Sequence, residues 1–209
     1  MSLIRTPGRR RPHSGRAFLL TAVTVASILT ASGCSISDTS EASGSGGGYV
    51  TGPRGVTTVA KANRVVAPKL DGETIDGKAL DISTLKGKVV VLNIWGSWCG
   101  PCRLEAPYFA KVSKELEASG QPVAFVGINT RDNTKQAASA FEQTNGITYP
   151  SLYDPDGKLM LRFPKGTLNP QAIPSTIVLD KDGKIAARTL AAIKDDTLHE
   201  MIDPLLAEQ

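Results

Sequence analysis

Between Val89 and Trp95 six of seven positions are apolar, with Asn93 the exception, and Lys86-Gly87-Lys88 and Gly96 bracket the run. A nearly continuous apolar stretch this short predicts a strand buried on both faces. Beyond it Leu104, Tyr108, Val112 and Leu116 recur at helical spacing, which predicts a helix to about Ala118. Pro107 falls inside that helix, removes one amide and leaves the Arg103 carbonyl without its donor, so a kink is expected. Val123 to Ile128 reads as a second buried strand, Thr134 to Asn145 as a helix ending at Gly146, and Tyr149 to Tyr153 as a short edge segment. Asp154-Pro155-Asp156-Gly157 is a turn, and Thr176 to Leu179 and Lys184 to Thr189 form a hairpin about Asp182-Gly183. Asp195 to about Leu206 is a closing helix with two acids at its positive end. Upstream, turn signals at Asp71-Gly72 and Asp76-Gly77 predict a small hairpin within Ala67 to Leu85. This order predicts an α/β domain with a central mixed sheet flanked by helices.

The N-terminal part has a different pattern. Arg5, Arg9, Arg10, Arg11 and Arg16 precede a charge-free apolar stretch from Ala17 to Ala31, the layout of a secretory signal over residues 1–33. The stretch is shorter than the roughly twenty residues that span a bilayer comfortably. Ala31-Ser32-Gly33-Cys34 resembles the lipobox of bacterial lipoproteins, in which cleavage before the cysteine leaves a lipid on it. Alanine stands where that pattern favours leucine, and an ordinary signal peptidase could cut at the same bond. A lone thiol at the new terminus favours lipidation of Cys34, hence a membrane anchor rather than plain secretion. Ser35 to about Asn63 is rich in serine, glycine and threonine and reads as a flexible tether, with the folded domain spanning 64–209.

The formal net charge of +4 is set by this leader. Without its five arginines, 19 basic residues face 20 acidic ones, and the remaining chain has no basic stripe for nucleic acid.

Trp98-Cys99-Gly100-Pro101-Cys102 puts two thiols two residues apart where the first buried strand gives way to a helix. The unpaired amides and positive dipole end there stabilise a thiolate. Cys99, expected to be exposed, is the candidate nucleophile, and Cys102, shielded one turn later, the resolving thiol. A zinc half-site needs further ligands, and the only other cysteine and histidines are Cys34, His13 and His199, so no metal is expected. A static structural bridge predicts that alkylating agents do not reach Cys99.

With Pro107 and the segment Ala172-Ile173-Pro174-Ser175-Thr176, this order resembles the thioredoxin fold. The N-terminal hairpin, the phrase Val91 to Trp98, the run Cys102 to Pro107 and the inserted helix at Thr134 to Asn145 resemble the TlpA/ResA group of exported, membrane-tethered thiol-disulfide oxidoreductases. The resemblance covers about Arg64 to Leu206. It implies protein thiols or disulfides as partners, apocytochrome c among them, a membrane electron donor, no cofactor, and residence at the extracytoplasmic face of the membrane. It further implies that Pro174 is a cis-proline facing the disulfide and that the Ile173 backbone pairs with a substrate peptide. Gly100, Pro101 and Pro107 support the site, and Trp98 forms its rim. Glu105, one turn beyond Cys102, is the candidate proton-transfer group, since neutral Asn93 stands where cytoplasmic relatives keep a buried acid; otherwise Glu105 is a solvated helix residue.

Two rivals have specific requirements. A peroxiredoxin-like antioxidant needs threonine and proline where Trp95 and Leu92 stand, and copper delivery by a related fold needs C-x-x-x-C with a later histidine. Gly100-Pro101 is the dipeptide of reducing thioredoxins, so reduction of protein disulfides is the expected direction.

Overall fold

The computed structural model describes residues 48–208. Its strands are β1 (Tyr49–Thr51), β2 (Thr57–Val59), β3 (Asp71–Glu73), β4 (Ala79–Asp81), β5 (Val89–Trp95), β6 (Val123–Thr130), β7 (Ser151–Asp154), β8 (Ser175–Leu179) and β9 (Ile185–Thr189). Its helices are α1 (Gly100–Ala118), α2 (Lys135–Asn145) and α3 (Asp195–Ala207). The large sheet has the order β1-β2-β9-β8-β5-β6-β7, and β3 and β4 form a separate antiparallel hairpin. β6 lies parallel to both β5 and β7, whereas the other pairings are antiparallel, so the sheet is mixed as expected.

β5 is apolar throughout because it feeds two cores. Val89 and Val91 meet Phe109, Val112 and Leu116 of α1 and Leu198, Met201 and Ile202 of α3. Val90, Leu92 and Ile94 pack on the opposite face with Leu70, Ile82, Met160 and Phe163. At the carboxyl end of β5, Trp95 stacks on Phe141 of α2 with ring centroids 4.5 Å apart. The Thr134 hydroxyl caps α2 by accepting from the Ala137 amide at 3.2 Å, and left-handed Gly146 closes it. α1 continues through Pro107, which lies on its exposed side.

The sheet begins earlier than Arg64. β1 and β2 add two strands to its β9 side, and Val56 and Val59 are buried, so Tyr49 to Val59 belongs to the domain and not to a tether. Cation–π stacking of Arg188 over the Tyr49 ring at 4.0 Å helps hold the outermost strand. Cys34, the expected signal and residues 35–47 of the expected tether lie outside the described residues.

Candidate active site

The site forms where β5 runs into α1. Gly96 makes the turn possible, since a Cβ there would collide with the Trp98 indole. Trp98 folds back over it and donates from Nε1 to the Thr130 carbonyl at 3.1 Å, leaving the ring 47% exposed as a rim. Arg131, at φ 58°, sets its guanidinium 5.5 Å from the centre of that ring.

Cys99 is the N-cap of α1, and its Sγ accepts from the Cys102 amide at 3.2 Å. Gly100 and Pro101 form the first turn, where proline's missing amide costs nothing. Cys99 and Cys102 are joined in a disulfide with Cα atoms 5.3 Å apart. The Ile173–Pro174 peptide is cis, and the Ile173 carbonyl oxygen lies 3.7 Å from Cys99 Sγ. Cys99 is not the exposed thiol expected from its place at the helix start. It is only 3% exposed against 1% for Cys102, because Ile173 closes over it and the pair packs with Ile75, Trp95 and Phe141.

Glu105 is 1% exposed, on the face of α1 that also carries Cys102 and Phe109. Its Oε1 accepts from Asn93 Nδ2 at 2.8 Å and its Oε2 from the Ile193 amide at 3.2 Å. Burial pushes its pKa up to about 8 against the pull of these two donors. A buried carboxyl at about 8 is close in acidity to a thiol at about 8.5, the condition for proton exchange with small driving force either way.

Residues 60–202 match the family Redoxin. The chain belongs to the redoxin family. ResA of Bacillus subtilis, a thiol-disulfide oxidoreductase, is 30% identical over 137 residues, which cover 66% of this chain and 72% of ResA. Among solved structures, a DsbF homologue from Corynebacterium diphtheriae aligns with TM-score 0.67 and 36% identity over 75% of this chain and 96% of its own. A secreted thiol-disulfide isomerase from Corynebacterium glutamicum aligns with TM-score 0.68 and 34% identity over 76% and 97%. These similarities identify a thioredoxin fold and a thiol-disulfide oxidoreductase whose Cys99–Cys102 pair has the C-x-x-C spacing.

This redoxin domain holds its active-site loop with a group that the motif does not reveal. Asp132, 35 residues beyond Ser97 and buried, accepts from the Ser97 amide at 2.9 Å, the Ser97 hydroxyl at 2.5 Å and Asn129 Nδ2 at 2.6 Å. Tyr153 donates its hydroxyl to the Asp132 carbonyl at 2.9 Å. Only the spatial neighbourhood of β5 and β6 brings these residues together, although the phrase Asn129-Thr130-Arg131-Asp132 at the end of a parallel strand was a place to look. Asp132→Ala strands the Ser97 amide, the Ser97 hydroxyl and Asn129 Nδ2 and is expected to cost about 1–3 kcal/mol per group left unpaired. Thermal unfolding reads that loss, and faster hydrogen exchange at the Ser97 amide shows that it is local to the cysteine loop.

Proposed function

We propose that this protein is exported, is held at the outer face of the membrane by a lipid on Cys34, and reduces disulfides in other proteins through Cys99 and Cys102. The observation that carries the chemical part is the Cys99–Cys102 disulfide at the start of α1, set against Ile173–Pro174 with Glu105 buried one turn below. In the dithiol form the Cys99 thiolate attacks a substrate disulfide, one substrate sulfur leaves as thiolate, and a mixed disulfide forms. Cys102 gives its proton to Glu105, attacks Cys99 Sγ and releases the second substrate sulfur, regenerating the disulfide. An external dithiol of a membrane donor returns two electrons: one thiolate attacks Cys99, Cys102 leaves as thiolate and is protonated by Glu105, and the donor's second thiolate then attacks the donor sulfur of the mixed disulfide, releasing the Cys99 thiolate and leaving the donor as a disulfide. The Ile173 segment, whose carbonyl lies against Cys99 just before β8, supports substrate docking as an added strand, with Trp98 as the flanking apolar contact.

Export is supported by the leader pattern and by the secreted C. glutamicum structure. Among the described residues no helix is long and apolar enough to cross a membrane. The resemblance to the TlpA/ResA group makes apocytochrome c the first protein substrate to test. Cys102→Ser protein expressed in cells is expected to accumulate covalent partners in the membrane fraction, and its mature N-terminus to carry a diacylglycerol mass on Cys34. An unmodified terminus released into the medium rejects the anchor; recovery of partners from the cytosol alone rejects the location.

A further inference from the structure

Exposed apolar side chains ring the disulfide, and two cations stand among them. Trp98 precedes Cys99, Leu104 follows Cys102 on α1, and Leu190 leaves β9 beside Pro174, since Thr189 pairs with Thr176 just past that proline. Arg103 and Arg131 are exposed at the same rim. Arg103 donates from Nε and Nη2 to the Ser97 carbonyl at 3.2 and 2.7 Å, and its Nη1 has no acceptor among the described residues. Arg131 donates from Nη2 to the Pro170 carbonyl with its guanidinium over the Trp98 ring, and its Nε and Nη1 are open in the same sense.

Among the described residues no ion pair involves either arginine. The carboxylates at this end of the sheet are committed elsewhere. Asp132 is buried and turned to Ser97 and Asn129, Asp154 accepts from the Lys158 and Leu159 amides, Asp156 pairs with Lys158, and Asp195 with Lys111. Glu105 is buried on Asn93 and the Ile193 amide. The rim is therefore apolar and positive. Arg131 moreover holds φ 58°, a conformation that glycine or asparagine adopts far more readily than arginine. A turn that needed only this backbone would be served by either. The side chain in place instead lies over Trp98 and reaches the segment that leads into Ile173.

A substrate segment that pairs with Ile173 and brings its sulfur to Cys99 passes this rim. Hydrogen bonds from a guanidinium to a carboxylate are roughly twice as strong as neutral ones, and charges at a rim act mainly on association and on the choice of partner. We propose that Arg103 and Arg131 select acidic cysteine segments, protein disulfides in which Asp or Glu stands within a few residues of the attacked cysteine and an apolar neighbour meets Trp98 or Leu104. This deepens the reading of the site as a reductant of protein disulfides and rests on it. The two arginines touch the substrate outside the reacting sulfurs, so they set which disulfide is reduced and not how the bond is exchanged.

The test uses one disulfide-bonded peptide in three versions, identical except for Glu, Gln or Lys flanking each cysteine. The rate of mixed-disulfide formation with reduced Cys102→Ser protein is measured at low salt and at about 0.5 M, which screens exposed charges. The glutamate peptide is expected to react about tenfold faster than the glutamine peptide and the lysine peptide slower still, with the spread collapsing at high salt. Adding Arg103→Glu and Arg131→Glu together reverses the order. The ratio between peptides within one variant cancels any change in thiol reactivity or loop shape, which a merely structural role would produce. If the charge-reversed protein does not fold, Arg131→Gln, which keeps a donor for Pro170, decides by cutting the ratio severalfold. Equal wild-type rates, a preference for lysine, or an unchanged ratio in the variants overturns the selection and leaves the thiol chemistry standing. A dimer whose rates on all three peptides fall with protein concentration assigns the rim to a second copy and overturns it too. No mixed disulfide with any peptide overturns the reduction reading itself, and the selection with it.

Discussion

Glu105→Gln is expected to make the oxidised protein more stable, and most of all at alkaline pH. The folded state raises the Glu105 pKa from 4.5 to about 8, so it keeps a proton that the unfolded chain releases. Stability from this group is therefore complete below about pH 4.5, declines as pH rises, and is fully lost above about pH 8. At about 1.4 kcal/mol per unit the loss is on the order of 5 kcal/mol. Glutamine cannot ionise, and its carbonyl oxygen can accept from the Ile193 amide while its NH2 donates to Oδ1 of a turned-over Asn93 amide, so the wild-type decline disappears in the variant. Glu142 and Asp154 are also raised by burial and add to the slope in both proteins, so the difference between the two curves isolates Glu105. Denaturant titrations at pH 4.5, 6, 7 and 8.5 measure it; parallel curves would mean that Glu105 titrates like an exposed acid. The same variant should alter the pH dependence of thiol exchange while keeping its fold, leaving only the ionisation of the thiols themselves.

A second large effect is expected at the cysteines, and it is asymmetric. Cys99→Ser loses reduction of a disulfide substrate to the uncatalysed level, because the sulfur at the N-cap, which the α1 amides face, is the one that attacks. Cys102→Ser retains the first chemical step and loses only release, so it consumes about one substrate equivalent and stops. Insulin precipitation and single-turnover thiol counting separate the two. The 3% exposure of Cys99 makes substrate access depend on the Ile173 segment, so the first step should saturate with peptide length and not with small disulfides.

The parts of the fold that were legible are those whose burial is one-dimensional. Val89 to Trp95 reads as a central strand because both its faces are apolar, and Thr134 and Gly146 mark α2 because capping chemistry is local. β1 and β2 escaped because Tyr49–Thr51 and Thr57–Val59 are three residues each within a glycine- and threonine-rich stretch. What holds them is remote: β9, the Arg188 stack on Tyr49, and a core waiting for Val56 and Val59. The cysteine motif announces its chemistry in five residues. Glu105 was legible as a neighbour of Cys102 on the helix, but its burial was not, since that depends on Asn93 and the Ile193 amide, 88 residues away. Asp132 was invisible for the same reason, because the pairing of β5 with β6 that brings it to Ser97 is not written in either strand alone.

The most direct measurement is the intact mass of reduced Cys102→Ser and Cys99→Ser proteins after brief exposure to a disulfide-bonded peptide at pH 7. The account predicts one peptide adduct on Cys102→Ser, mapped by proteolysis to Cys99 and released by dithiothreitol, and no adduct on Cys99→Ser. An adduct mapped to Cys102, equal labelling of both variants, or no labelling of either would contradict it.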